Sequence, residues 1–258
     1  VSVSVHAAAC VDPRARLGDG VIVGPGAVIG PDVTIGGGTR VDSHVLVTGW
    51  TTVGRDCHLH HGAVLGTPPQ DLKYVPAPSY LVLGDRTVCR EYMTANLATE
   101  PGFTTRIGSD CLLMAYSHVA HNCQVGDRVV IANAVQMAGY VTVDDWAIVG
   151  GGTVVHQFVR IGRHSMIGGG SRIPQDVAPF VKAAGSPPRN AGINSIGLER
   201  RGVPAPTREA IERAYRIFFR DGLTVERAVE EIRTRFGAVP EVEHFARFCE
   251  TSVRGVSR

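Results

Sequence analysis

The sequence predicts a β-solenoid followed by a small α-helical unit. Three observations carry this reading: an unbroken six-residue period, a glycine that often follows its aliphatic position, and a switch to a helical pattern near residue 207. Every sixth residue from Ile107 is apolar (Leu113, Val119, Val125, Ile131, Met137), and the series reaches Ile173 without a missed step. Period two would read as ordinary strands and period 3.6 as helix, whereas a strict hexad is the mark of short strands stacked coil upon coil. Three hexads make one triangular coil, so residues eighteen apart lie one above the other at roughly 4.8 Å, the strand spacing.

The hexad begins at Val5 and runs through Val11, Leu17, Val23 and onward to Leu65. Gly18, Gly24, Gly30, Gly36 and Gly54 follow first positions, where a tight corner is expected to need a residue free of Cβ strain. Thr67 to Ser79 contains Pro68, Pro69, Pro76 and Pro78, which cannot continue a sheet ladder. A loop insertion over about 67–82 is therefore expected, carrying Asp71 and Lys73; it reads as a solvated loop or as a flap reaching a substrate. Hexads resume at Leu83 and Cys89, with a second break over Glu100 to Thr105. The solenoid unit is placed at residues 1–182 and a turn-rich linker at 183–206. The helical unit takes 207–258, with Thr207 and Thr224 as N-caps and a third helix after Pro240. Helices packed at the end of a solenoid cover an otherwise exposed sheet edge.

Composition narrows the function. A net charge of +2 and no basic run with interleaved aromatics give no support for nucleic-acid binding. The start, Val1 to Cys10, lacks a cationic segment and a long apolar run, so neither a signal peptide nor an integral membrane segment is expected. Six cysteines without CxxC spacing, several inside hexads, read as buried or inert thiols and point to the cytoplasm.

Chemistry concentrates in Ser117-His-Val-Ala-His-Asn-Cys123. Counting eighteen from His121 gives Gly139, then Gln157, then Gln175, so a histidine, a glycine and an amide share one edge of the prism. Three readings of His118 and His121 stand side by side. They are structural; or they bind metal, for which His-x-x-His with only His156 and His164 further along the block is a poor donor set; or one is a general base, since neutral imidazole accepts a proton from an attacking hydroxyl or amine. Gly139 offers a bare backbone N–H where an oxyanion would form.

Gln70-Asp-Leu-Lys-Tyr74, His118-Val-Ala-His121, Met137-Ala-Gly139, Val155-His-Gln-Phe158 and Gly197-Leu-Glu-Arg-Arg-Gly202 together resemble the acyl-ACP:UDP-N-acetylglucosamine O-acyltransferases of lipid A biosynthesis, over essentially the whole chain. The resemblance implies a single-stranded left-handed β-helix, a homotrimer with sites between subunits, acyl carrier protein as donor partner, a UDP-sugar acceptor, and no cofactor or metal. On it, His121 matches the base, Gly139 the oxyanion donor and Asn122 the neighbour of the base. Asp71, Lys73, His118, Tyr140, His156 and Gln157 match substrate contacts. Asn194, Arg200 and Arg201 match the nucleotide end, where a planar guanidinium suits diphosphate. Gly169 matches a position bounding the acyl channel, which implies a long 3-hydroxyacyl donor.

The chain departs from the family pattern at four places: Asn122 stands for an Asp, Tyr140 and Asn96 for His, and Ile196 for a Glu. These leave three products of the resemblance open: an ester with the 3-hydroxyl, an amide with the 3-amino analogue, or a sugar-nucleotide-binding homologue with altered catalysis. Arg208, Arg213, Arg216 and Arg220 are candidate contacts for the acidic carrier protein, against the plainer reading of a solvated helix face.

Overall fold

The computed structural model describes residues 2–257, so Val1 and Arg258, the outer bounds of the two expected units, lie outside the described residues. Most strands are two residues long, with one side chain out and an aliphatic one in. In His118–Val119, for example, Val119 is buried and His118 half-buried. Stacked strands form three sheets, visited in the order A, B, C: face A has eleven strands, face B nine and face C eight. His118 pairs with Gln136 and Val119 with Met137, parallel and eighteen residues on, as counting predicts.

The aliphatic first positions and the small residues two places before them fill the prism. Burying each such Val, Ile or Leu contributes ~1.5–3 kcal/mol. Cys57, Cys111 and Cys123 occupy the small-residue position and direct Sγ to the carbonyls of Gly84, Gly126 and Ala138 at 3.1, 3.1 and 3.2 Å. Burial pushes the Cys111 thiol up to about 11 and Cys123 up to about 12, so both stay protonated and inert. Cys10 departs from the expectation: it is exposed.

The corner glycines have a different cause from the one expected. The residue with positive φ lies three places after the first position, and it is often Asn, Asp, His or an aromatic: Asn122 has φ 59° and Tyr140 φ 61°. Gly36, by contrast, has no positive φ; a Cβ there would sit 2.6 Å from the backbone of Gly54 in the next coil. Close approach between coils, rather than backbone strain, selects that glycine.

Both interruptions leave the prism at one edge. Strand Val64–Thr67 on face B is joined to Tyr80–Leu83 on face C by residues 68–79, and Thr94–Asn96 on face B to Thr104–Ile107 on face C by residues 97–103. The flanking coils lengthen accordingly: Leu59 pairs with Cys89 and Cys89 with Leu113.

Residues 183–206 are not a free linker. Val181–Gly185 continues face A and turns back antiparallel as Pro188–Ile193, and helix α1 follows at Ser195–Arg200. The turn residues that suggested a linker instead close a hairpin. Helices α2 (Ala205–Arg220), α3 (Val225–Phe236) and α4 (Pro240–Glu250) pack their apolar sides on Phe180, Val181 and Leu198 as a second core. Thr224 caps α3 as expected, accepting from the Arg227 N–H. Thr207 lies inside the first turn and is not the N-cap: α2 begins earlier, at Ala205, with Pro206 in its first turn where a missing N–H is tolerated. No helix among the described residues is long and apolar enough to cross a membrane.

Candidate active site

The edge between faces B and C carries the heptapeptide. Its turn brings His118, His121, Gly139 and Gln157 to one cleft of about 470 Å³, with Gln70 from the first loop and Gln136 from the coil above. The vertical alignment expected from counting therefore holds. Gly139 sits so close to the imidazole that a Cβ would lie 2.3 Å from Cε1 and 2.5 Å from Nε2 of His121. Only glycine leaves room for the ring. Its N–H makes no hydrogen bond among the described residues, while the next amide, Tyr140 N–H, is taken by the His121 carbonyl at 3.0 Å.

His121 is buried except at the cleft. Its Nδ1 lies 3.0 Å from Asn122 Oδ1. The Thr99 N–H, an unambiguous donor, reaches the same Oδ1 at 3.0 Å and so fixes which end of the amide is oxygen. Nδ1 must then carry the proton and donate to Oδ1, leaving Nε2 as the acceptor. Asn122 is held in turn: its own N–H donates to Thr105 Oγ1 at 2.8 Å and its Nδ2 to Glu100 Oε2 at 2.8 Å. The Tyr140 hydroxyl donates to Glu100 Oε1, and its ring stands edge-on to His121. The Tyr140 bond holds the Glu100 carboxyl below the usual carboxylate range. His118 donates or accepts at Thr94 Oγ1, 2.7 Å away; burial, then the neighbouring His121, pushes it down and keeps it neutral.

The other expected site residues are spread out. Asp71 folds its own loop, accepting from the Lys73 N–H at 2.8 Å, and lies near enough to Tyr140 to act on its titration; Lys73 is exposed. His156 is exposed and turned to the Gln157 carbonyl at 3.0 Å. Gly169 lies on the A/B edge, stacked on Gly151. Asn194 is the N-cap of α1, accepting from Gly197 N–H and donating to the His164 carbonyl. Arg201 stacks on Trp146 at 4.8 Å, on the C/A edge, and Arg200 is exposed at the end of α1. Within one chain these four do not reach the His121 cleft. Of the arginines on α2, Arg208 and Arg216 pair with Glu199 and Glu212, and Arg220 is held by Tyr215 and the Asn190 carbonyl, which fits the plainer reading of that face.

Sequence reading missed Thr99 and Glu100. The one available signal was that the second break sits a coil below His121 at the same edge. Among the described residues a single group, Asp42, His58 and His60 on the A/B edge, brings three ligand atoms within 4.8 Å of one another. Its imidazoles are stacked at 3.8 Å, so their in-plane lone pairs run side by side instead of converging, and Arg40 already holds the carboxylate at 2.7 Å. It is a surface stack of His and Asp.

Coil, hexad and cleft define a hexapeptide-repeat acyltransferase. Residues 104–139 match the family model for bacterial transferase hexapeptide (six repeats), and residues 176–257 match that for domain 2 of UDP N-acetylglucosamine O-acyltransferase. The acyl-[acyl-carrier-protein]–UDP-N-acetylglucosamine O-acyltransferase of Herminiimonas arsenicoxydans is 44% identical over 98% of this chain and 99% of its own length. That of Synechocystis is 44% identical over 81% of this chain and 75% of its own. The solved structure of LpxA from Acinetobacter baumannii superposes with a TM-score of 0.95 at 39% identity, covering 98% of this chain and 99% of that one. LpxA from Bacteroides fragilis gives 0.96 at 34%, covering 98% and 100%. The chain belongs to the acyl-ACP–UDP-N-acetylglucosamine O-acyltransferase family, and its coil is left-handed.

Proposed function

We propose that the protein transfers a 3-hydroxyacyl group from acyl carrier protein to the 3-hydroxyl of UDP-N-acetylglucosamine, the opening step of lipid A biosynthesis, in the cytoplasm. Family membership supports the reaction class. The observation that carries the site is that His121, Gly139 and Gln157 line one cleft. His121 Nε2 removes the proton from the sugar hydroxyl as its oxygen attacks the thioester carbon. The Gly139 N–H, without a partner among the described residues, receives the oxyanion. Collapse breaks the carbon–sulfur bond, and the imidazolium returns its proton to the departing thiolate. No metal or cofactor is needed, because the thioester is already activated.

The working unit in this reading is a homotrimer. Outward positions on face A are largely apolar (Ile22, Leu112, Val130 and Ile148), face B alternates apolar Val28, Leu46 and Val154 with polar His118, Gln136 and Arg172, and face C presents Arg106, Gln124, Thr142 and Arg160. One apolar face and the apolar part of a second suit three prisms packed about an axis. Such packing would bring Asn194, Arg200, Arg201 and Gly169 of one copy toward the His121 cleft of another, with the arginines on the diphosphate and Gly169 leaving space for a long acyl chain.

One assay tests the reading: purified protein with 3-hydroxyacyl-ACPs of graded length and either UDP-N-acetylglucosamine or its 3-amino analogue, products identified by mass. An alkali-labile ester from the hydroxyl sugar is expected. An alkali-stable amide formed only with the amino analogue would move the assignment to N-acyl transfer, and no product from any pair would leave a binding protein. Sedimentation should give three copies per particle.

A further inference from the structure

We propose that Glu100 is the charged outer member of a positioning relay for His121, with Asn122 as its uncharged link. The proposal rests on His121 being the base.

Asn122 takes the place next to the imidazole where a carboxylate would both orient the ring and stabilise its protonated form. An amide oxygen orients equally well but carries no charge. The structure puts the missing charge one group further out. Glu100, on the loop of residues 97–103, receives Asn122 Nδ2 at 2.8 Å on Oε2 and the Tyr140 hydroxyl on Oε1, and Thr99 Oγ1 lies 2.8 Å from Oε2. Thr99 ties off the other side of the same amide through its N–H, at 3.0 Å from Oδ1. The chain His121 Nδ1–H to Asn122 Oδ1, then Asn122 Nδ2–H to Glu100 Oε2, is continuous, and every donor in it has one acceptor to go to. As positive charge develops on the imidazole, the amide dipole passes it to a carboxylate. Asn122 and Tyr140 thereby share one role: both hold Glu100.

The plainer alternative is that Glu100 merely pins its loop. A charge swap and a pH profile separate the two. In Glu100→Gln the hydrogen-bonded frame loses its charge; kcat should fall roughly ten- to a hundredfold, the usual cost of an outer group that orients an imidazole, with the KM for the sugar nucleotide changed less than about twofold. In Glu100→Gln with Asn122→Asp, the Gln amide can donate to the new carboxylate and accept from Tyr140, so every bond survives with the charge moved inward. That double variant should recover to within a few-fold of the parent. The groups facing His121 are His118 from the adjoining strand, Tyr140 from the coil above, Glu100 from the loop and Asp71 beyond Tyr140; only Glu100 and residue 122 change in these variants. The pH below which kcat/KM falls should therefore lie lowest in Glu100→Gln, higher in the parent and highest in the double variant, an order that a loop pin would not produce. A kcat for Glu100→Gln within twofold of the parent, or a pH limb unmoved across the three proteins, overturns the relay. His121→Ala is the control: full turnover there would remove the base itself, whereas turnover lost in His121→Ala and kept in Glu100→Gln would remove Glu100 alone.

Discussion

Two edges of the same prism do opposite things with carboxylates. On the C/A edge, three acids hold backbone in the coil beneath them: Asp85 Oδ1 accepts from Arg55 N–H at 2.7 Å, Asp127 from Ser109 N–H at 2.7 Å and Asp145 from Asp127 N–H at 2.9 Å, while Asp110 pairs with the Arg86 guanidinium. The Ser109 hydroxyl takes the rung between, accepting from Asp85 N–H at 3.1 Å, and the ladder serves the fold. On the B/C edge two loops break the repeat; Asp71 on the first accepts from the Lys73 N–H of its own loop, while Glu100 on the second takes side chains of the His121 cluster. The difference teaches that the coil geometry is common property, while a break in the repeat lets one acid, Glu100, leave the ladder and reach the His121 cluster.

The contrast can be broken most sharply at His121, the proposed base. His121→Ala should cost on the order of two to four powers of ten in kcat, as loss of a general base does, with the thermal midpoint nearly unmoved; single-turnover assays read the first and calorimetry the second. Gly139→Ala comes next. Its methyl must displace the imidazole, so a loss of roughly a hundredfold is expected, comparable to losing an oxyanion donor; an Nε2 that still titrates and reacts as in the parent would refute the placement. On the opposite edge, Asp127→Ala should leave kcat intact and lower stability by about 1 kcal/mol, one net hydrogen bond, measured by denaturant unfolding. Activity lost with Asp127→Ala would erase the distinction between the edges.

A pH-dependent effect concerns His164, also on the C/A edge and sandwiched between Trp146 and Phe180. Burial, with the nearby Arg201 and Arg163, pushes it down to about 4. The unfolded chain therefore binds a proton there below about pH 6.5 while the folded one does not, so stability should fall as pH drops from about 6.5 to about 4. Thermal midpoints across that window should slope downward, and His164→Asn should flatten the slope.

What the sequence made legible follows from where information lies along it. The hexad places Val119 over Met137 because a period survives translation into a coil unchanged, and for the same reason His121, Gly139 and Gln157 were aligned by counting alone. Glu100 was not, because residues 97–103 lie outside the period and a loop's return path is set by contacts that counting ignores. Asn122 consequently read as a charge lost instead of a charge moved. The hairpin at Val181–Ile193 was mistaken for a linker because Gly185-Ser-Pro-Pro188 is turn chemistry in either setting. The role of the corner glycines was misassigned because steric pressure from the next coil leaves no trace in a residue's own neighbours.

The left-handed backbone at Asn122 has a consequence for how such an enzyme can change over generations. Asn and Asp are the two oxygen-bearing side chains that tolerate this conformation most readily, so a lineage can exchange one for the other without disturbing the turn. If an acid already stands on the adjoining loop, the exchange relocates a negative charge by one link and leaves the reactive nitrogen where it was. Drift at that position is then cheap in architecture, and its cost or benefit is felt only in how the base responds to acidity.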